Sequence, residues 1–80
     1  MQSPTPYELR VNAGYHLVRT LAKAAGVSGD TLRKYERGLL QREREETYES
    51  FAKLAKVIGC TQAQYAVAVR GMADRMRGAK

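Results

Sequence analysis

The stretch Leu21-Ala22-Lys23-Ala24-Ala25-Gly26-Val27-Ser28-Gly29-Asp30-Thr31-Leu32-Arg33-Lys34-Tyr35-Glu36-Arg37-Gly38 decides the reading of this chain. It breaks into two short helices at Gly26, a residue that enters the left-handed region and so ends a helix without a Cβ penalty. The small residues before Gly26 allow close helix contact. Val27 fills the corner, and Ser28 is placed to cap the second helix by accepting a bond from a free backbone N–H. Leu32 and Tyr35, at i and i+3, define its buried side and leave Gly29, Asp30, Arg33, Lys34 and Arg37 on other faces. Gly38 closes it. This is the sequence form of a helix-turn-helix.

The run L-A-x-x-A-G-V-S-x-x-T-L-x-x-Y-E-R-G resembles the Cro/repressor-type (XRE) helix-turn-helix family, and with the flanking helices the resemblance spans residues 7 to 66. The resemblance implies an all-α, compact five-helix bundle of the phage-repressor-like DNA-binding type. It also implies a sequence-specific regulator of transcription, a dimeric repressor or autoregulator from a phage or other mobile element. A homodimer would set its two recognition helices about one helical turn, ~34 Å, apart on a near-palindromic operator. In that arrangement the second helix of the motif enters the major groove of double-stranded DNA.

Mapped through the motif, the positions facing DNA are Ser28, Gly29, Asp30, Thr31, Arg33, Lys34 and Arg37. Lys34 is the foremost candidate for a base contact, since an ammonium can donate to guanine O6 and N7. Arg33 can do the same through its fork or clamp a phosphate. Thr31 suits a phosphate or a thymine methyl. Asp30 can accept from a cytosine amino group, or it can simply favour the positive end of the helix dipole. Gly29 stands where relatives often carry a long reading side chain, which narrows the set of direct base contacts. The family also implies that Arg10 pairs with Glu36. Chemistry agrees, because a partly buried guanidinium needs a bidentate carboxylate. Two unrelated surface charges are the alternative.

The rest of the chain is read outward from this motif. Residues 1–6 form a short arm with no basic residue, and Pro6 suits the first turn of a helix. A first helix is expected over Tyr7 to Ala13, with Tyr7 and Val11 inward and Leu9 beside them. The turn Gly14-Tyr15-His16 is one residue longer than the family's. Helix 2 is expected over Leu17 to Ala25, with Arg19 standing in for the family's phosphate-contacting start and His16 as a turn residue or N-cap. Leu39 and Leu40 are expected to pack under the following connection, where Arg42 and Arg44 could meet the phosphate backbone. Glu43, Glu45 and Glu46 make a solvated, salt-bridged segment the competing reading there.

Helix 4 is expected from an N-cap at Thr47 to Ile58, with Phe51, Leu54, Ala55 and Ile58 at i, i+3, i+4 and i+7. Thr61 and Gln64 form a capping box for helix 5, expected over about 61–77. Its stripe Tyr65, Val69, Met72 and Met76 outruns the expected core. Val69, Met72 and Met76 are therefore assigned to a dimer seam, a solvated basic tail being the alternative. The expected core is Leu9, Leu21, Val27, Leu32, Tyr35, Phe51, Leu54, Ile58 and Tyr65, all within one domain over 7–80.

Composition sets bounds on function. Eighty residues allow one domain, which buries only about 60–65% of its unfolded surface and would gain from a partner subunit. Fourteen Lys and Arg against eight Asp and Glu give +6, a balance suited to a polyanion such as nucleic acid or to an acidic membrane face. Cys60 has no partner for an internal disulfide, which fits a reducing compartment. The start carries no signal-peptide pattern and no apolar run nears the ~18 residues of a membrane span. The cytoplasm is the expected compartment. No phosphate loop, metal-ligand spacing or catalytic pairing is evident, so neither enzyme activity nor a cofactor is expected. Three rivals to simple repression remain. They are an antitoxin that also binds a small protein partner, a recombination directionality factor, and an interaction module without DNA binding.

Overall fold

The computed structural model describes residues 4–39 and 44–78, the last three as backbone only. They form five helices, α1 (Pro6–Asn12), α2 (Val18–Ala25), α3 (Gly29–Glu36), α4 (Glu45–Ile58) and α5 (Gln62–Gly78), with no strand among the described residues. The chain is an all-α bundle.

Local chemistry fixes where each helix begins. Thr5 caps α1: its Oγ1 accepts from the Glu8 N–H at 3.1 Å while Glu8 Oε1 accepts from the Thr5 N–H at 3.0 Å. This capping box was present in the sequence as T-P-Y-E and draws Pro6 into the helix. The arm is thus shorter than residues 1–6, and Pro6 is buried. Ser28 caps α3, its Oγ accepting from the Asp30 N–H at 3.2 Å. Thr61 and Gln64 exchange the two bonds of the expected box at 2.8 and 3.0 Å.

Helix 4 departs from expectation. It starts at Glu45 with Arg44 as N-cap. Thr47 stands two residues inside, and its hydroxyl accepts from the Arg44 N–H at 3.2 Å. A threonine that serves as cap from the third helical position leaves the same signature in sequence as one that starts the helix. His16 is likewise not a cap: it lies in the turn, and Leu17 precedes α2 with no side-chain cap bond.

The centre of the bundle is aromatic. Tyr35 of α3, Phe51 of α4 and Tyr65 of α5 meet with ring centroids 5.0, 5.7 and 6.4 Å apart in edge-on or tilted arrangements, the geometry ring quadrupoles favour. Leu21, Leu32, Leu54 and Val69 complete the core with no exposed surface. Leu9, Val27 and Ile58 pack against it half-buried. On α2, Ala22 and Ala25 are buried beside Leu21 and Ala24 is exposed.

Two apolar residues expected inside lie at the surface. Tyr7, expected inward, is 54% exposed, because Arg10 takes the inner position of α1 and is 4% exposed. Tyr7 instead lies over the guanidinium, 5.1 Å from ring centroid to Arg10 Cζ. Leu39 is 54% exposed rather than packed under the connection, and Leu40 lies outside the described residues.

Val69 does not face a partner. It is wholly buried in its own subunit and belongs to the core, so no partner can reach it. The helix keeps packing beyond that point. Gly38, at φ +72, comes so close to α5 that an added Cβ would lie 2.8 Å from the Met72 carbonyl oxygen and the Ala73 nitrogen. Past Val69 the bundle still covers part of α5, with Ala73 buried and Met72 half-buried. The side chain of Met76 lies outside what is described.

Candidate nucleic-acid interface

The site is built from the α2–α3 corner. Gly26 adopts φ +73, and the Val27 N–H reaches back to the Ala22 carbonyl at 2.9 Å, closing the end of α2. Three residues later α3 begins. Leu32 and Tyr35 anchor it inward, so its remaining positions are set by helical periodicity.

The inner side of α3 is tied by a buried ion pair. Arg10 Nε donates to Glu36 Oε2 at 2.7 Å and Nη2 donates to Oε1 at 3.2 Å, the bidentate fork expected from the sequence. The remaining guanidinium nitrogen, Nη1, donates to the carbonyls of Tyr15 and His16 at 2.9 and 2.7 Å. The longer turn Gly14–His16 thus folds its carbonyls onto Arg10. Glu36 would otherwise put a negative charge at the negative end of the helix. Arg10 removes that conflict and joins α1, the turn and α3 at one point. Among the described residues the pair is fully used within the domain and is closed to any ligand.

The outer side of α3 differs. Ser28, Asp30, Arg33, Lys34 and Arg37 are exposed, and Gly29 and Thr31 are half-exposed. Arg37 is the C-cap residue. Arg33 curls back toward the start of the helix: its Nη1 lies 3.2 Å from Asp30 Oδ1, with side chains 54% and 85% exposed respectively. It also lies 4.0 Å from where a Cβ on Gly29 would stand. The missing side chain at Gly29 leaves the beginning of α3 to this arginine. Asp30 both occupies the positive end of the helix dipole and holds Arg33. With Glu36 turned inward, Arg33, Lys34 and Arg37 outnumber the one outward acid, Asp30. Such a face attracts a polyanion.

The outlying candidates are more dispersed. Arg19 is exposed in the first turn of α2, adjacent in the fold to α3. Arg44 is exposed at the cap of α4. Arg42 falls outside the described residues. Among those described, no group of three or more His, Cys, Asp or Glu side chains could hold a metal ion. Among the described residues, no helix is long and apolar enough to cross a membrane.

One feature outside the α2–α3 corner carried no sequence signal. An open hollow of about 370 Å³ lies between Pro4, Leu9, Cys60, Ala63, Gln64 and Val67. Burial pushes the Cys60 thiol above its ordinary pKa, so it is a weak nucleophile there. Compared with protein-family models, curated proteins and solved structures, the chain matches none.

Proposed function

We propose that this chain binds double-stranded DNA in a sequence-dependent way through the outer side of α3. It acts as a dimeric repressor or autoregulator in the cytoplasm, without enzymatic activity or cofactor. The observation that supports this most is the division of labour on α3. Glu36 is consumed by Arg10 on the inner side, while Arg33, Lys34 and Arg37 stand in solvent on the outer side. A helix held rigid from behind, with donors in front, is what direct readout in a major groove requires. Lys34 and Arg33 are assigned to base edges, Thr31 and Ser28 to the neighbouring backbone or thymine methyls, and Arg19, Arg37 and Arg44 to phosphates. Gly29 admits close approach of the duplex to the start of α3. Occupying a promoter then blocks transcription.

The test is selection of bound fragments from random duplex DNA at moderate salt. Enrichment of an inverted repeat with half-sites about one turn apart supports dimeric repression. Enriched direct repeats that bend on binding would replace it with a DNA-bending role in recombination. No enrichment at all would leave a helical scaffold without sequence readout.

A further inference from the structure

The opening turn of α3 is occupied by an arginine from the turn that follows it. Arg33 Nη1 donates to Asp30 Oδ1 at 3.2 Å, three residues back along the helix. The same nitrogen stands 4.0 Å from where a Cβ on Gly29 would lie. Long side chains on a helix lean toward its N-terminus, and the bare backbone of Gly29 leaves room for this one. Asp30 then fixes where the guanidinium rests. Among the described residues, Arg33 Nε and Nη2 donate to no group. Those two N–H groups point the same way and form a planar fork. Arg10 uses that fork within the same molecule: its Nε and Nη2 hold the two oxygens of Glu36, while Nη1 donates to two carbonyls. Arg33 commits Nη1 in the same manner and leaves its fork at the surface.

We propose that Asp30 sets the base specificity of this chain by holding Arg33 so that its fork meets one guanine. Asp30 is a positioning residue in this account and reads no base itself. The inference rests on the DNA reading given above and names the base selected. Guanine presents O6 and N7 side by side in the major groove, two acceptors that match the Nε–Nη2 fork. A phosphate also offers paired oxygens, and charge separates the two. The Asp30 carboxylate, 3.2 Å from the guanidinium, offsets part of its attraction for an anion and itself repels a phosphate. A base edge is neutral, so it takes the fork without that repulsion. Position agrees. Recognition helices meet base edges with their N-terminal residues, and Asp30 brings the guanidinium to that end of α3. A side chain already held in place also loses less freedom when it binds.

The experiment compares base preference in the parent chain, Arg33→Ala, Asp30→Ala and the double variant. Each selects from duplexes with a randomised centre, and affinities are then measured on duplexes differing at one base pair, at one fixed salt concentration. Removing an acid near a polyanion raises affinity on every sequence. The readout is therefore the ratio of guanine to the other bases, in which that uniform gain cancels. The expected result is one position where the parent prefers guanine and Arg33→Ala loses that preference by about 10- to 100-fold. Asp30→Ala should relax the same position by about three- to fivefold, the scale of an exposed pair. In the Arg33→Ala background it should change the ratio no further. Melting curves establish that the variants fold. Relaxation of a different position by Asp30→Ala would make it a reader in its own right and overturn the proposal. Unchanged ratios in Asp30→Ala, uniform weakening of all duplexes by Arg33→Ala, or independent effects in the double variant overturn it as well. Each of those results leaves sequence-dependent binding standing, whereas a parent chain with no base preference at any position removes both.

Discussion

Two ion pairs involve α3, one tying it to α1 and one within it, and they are opposites. The side chains of Arg10 and Glu36 are 5% and 10% exposed and bind through a two-bond fork, with the remaining guanidinium nitrogen donating to two carbonyls. Arg33 and Asp30 are 54% and 85% exposed and touch through one bond of 3.2 Å. The first pair is sequestered from water. Removing one partner leaves an uncompensated charge in the interior, so the pair fixes α3 in place. The second is screened and contributes little to stability, so its members can be given up to a ligand. The inner side of α3 thus serves the fold, and the outer side is free to serve recognition.

The contrast can be broken most directly at Glu36. Glu36→Ala should cost about 3–5 kcal/mol, enough to lower the melting temperature by roughly 15 °C or more in a domain this small. A melting temperature within a few degrees of the parent would mean that the pair does not hold α3. Next in size is Gly38→Ala. Positive φ alone costs roughly 1–2 kcal/mol, and here the new Cβ also meets the α5 backbone at 2.8 Å. Urea unfolding should show a loss of about 2–4 kcal/mol. Gly26→Ala is the matched control, with φ +73 and nothing within 4 Å of the added carbon, and should lose only the dihedral part. Equal losses at the two positions would dissolve the claim that α3 is seated on α5.

Tyr65 sharpens the inner side further. Its hydroxyl is buried without a hydrogen-bond partner among the described residues. Tyr65→Phe should therefore stabilise the domain by about 1 kcal/mol, the desolvation cost of an unmade bond. Burial raises the Tyr65 pKa far above the ordinary 10.0, with the nearby Glu36 charge adding to it. Burial also raises Tyr35. The folded state then keeps protons that the unfolded chain releases, so stability holds below pH 10 and falls as pH rises beyond it. Tyr65→Phe should lose less stability than the parent in that alkaline window, as followed by denaturant midpoints against pH. Smallest is Asp30→Ala. It should change stability by less than about 1 kcal/mol, and a loss comparable to that of Glu36→Ala would erase the distinction between the two pairs.

How much of this was legible in the sequence follows from range. Ser28 as cap, Gly26 and Gly38 as helix ends, and the Thr61–Gln64 box depend on residues two to four apart, and all form as read. Thr5 with Glu8 obeyed the same rule, and reading an arm through residue 6 missed it. The Arg10–Glu36 fork spans 26 residues and was reached through resemblance; periodicity alone would have turned Tyr7 inward in place of Arg10. Val69 was misassigned because a stripe shows which side of a helix is apolar, not how far the neighbouring elements extend to cover it. The hollow beside Val67 gave no signal, since it is assembled from Pro4, Leu9 and the start of α5. The candidate contacts on α3 were named from the motif, and their exposure follows from Leu32 and Tyr35 being inward. What they touch is a property of a complex.

The central claim is that the outer side of α3 distinguishes one base pair from another. The direct measurement is the ratio of affinities for a selected duplex and a shuffled one, for the parent and for Lys34→Ala, at one fixed salt concentration. A loss of about 1–3 kcal/mol on the selected duplex with little change on the shuffled one is the expected result. Equal weakening on both, or no difference between the two duplexes in the parent chain, would contradict it.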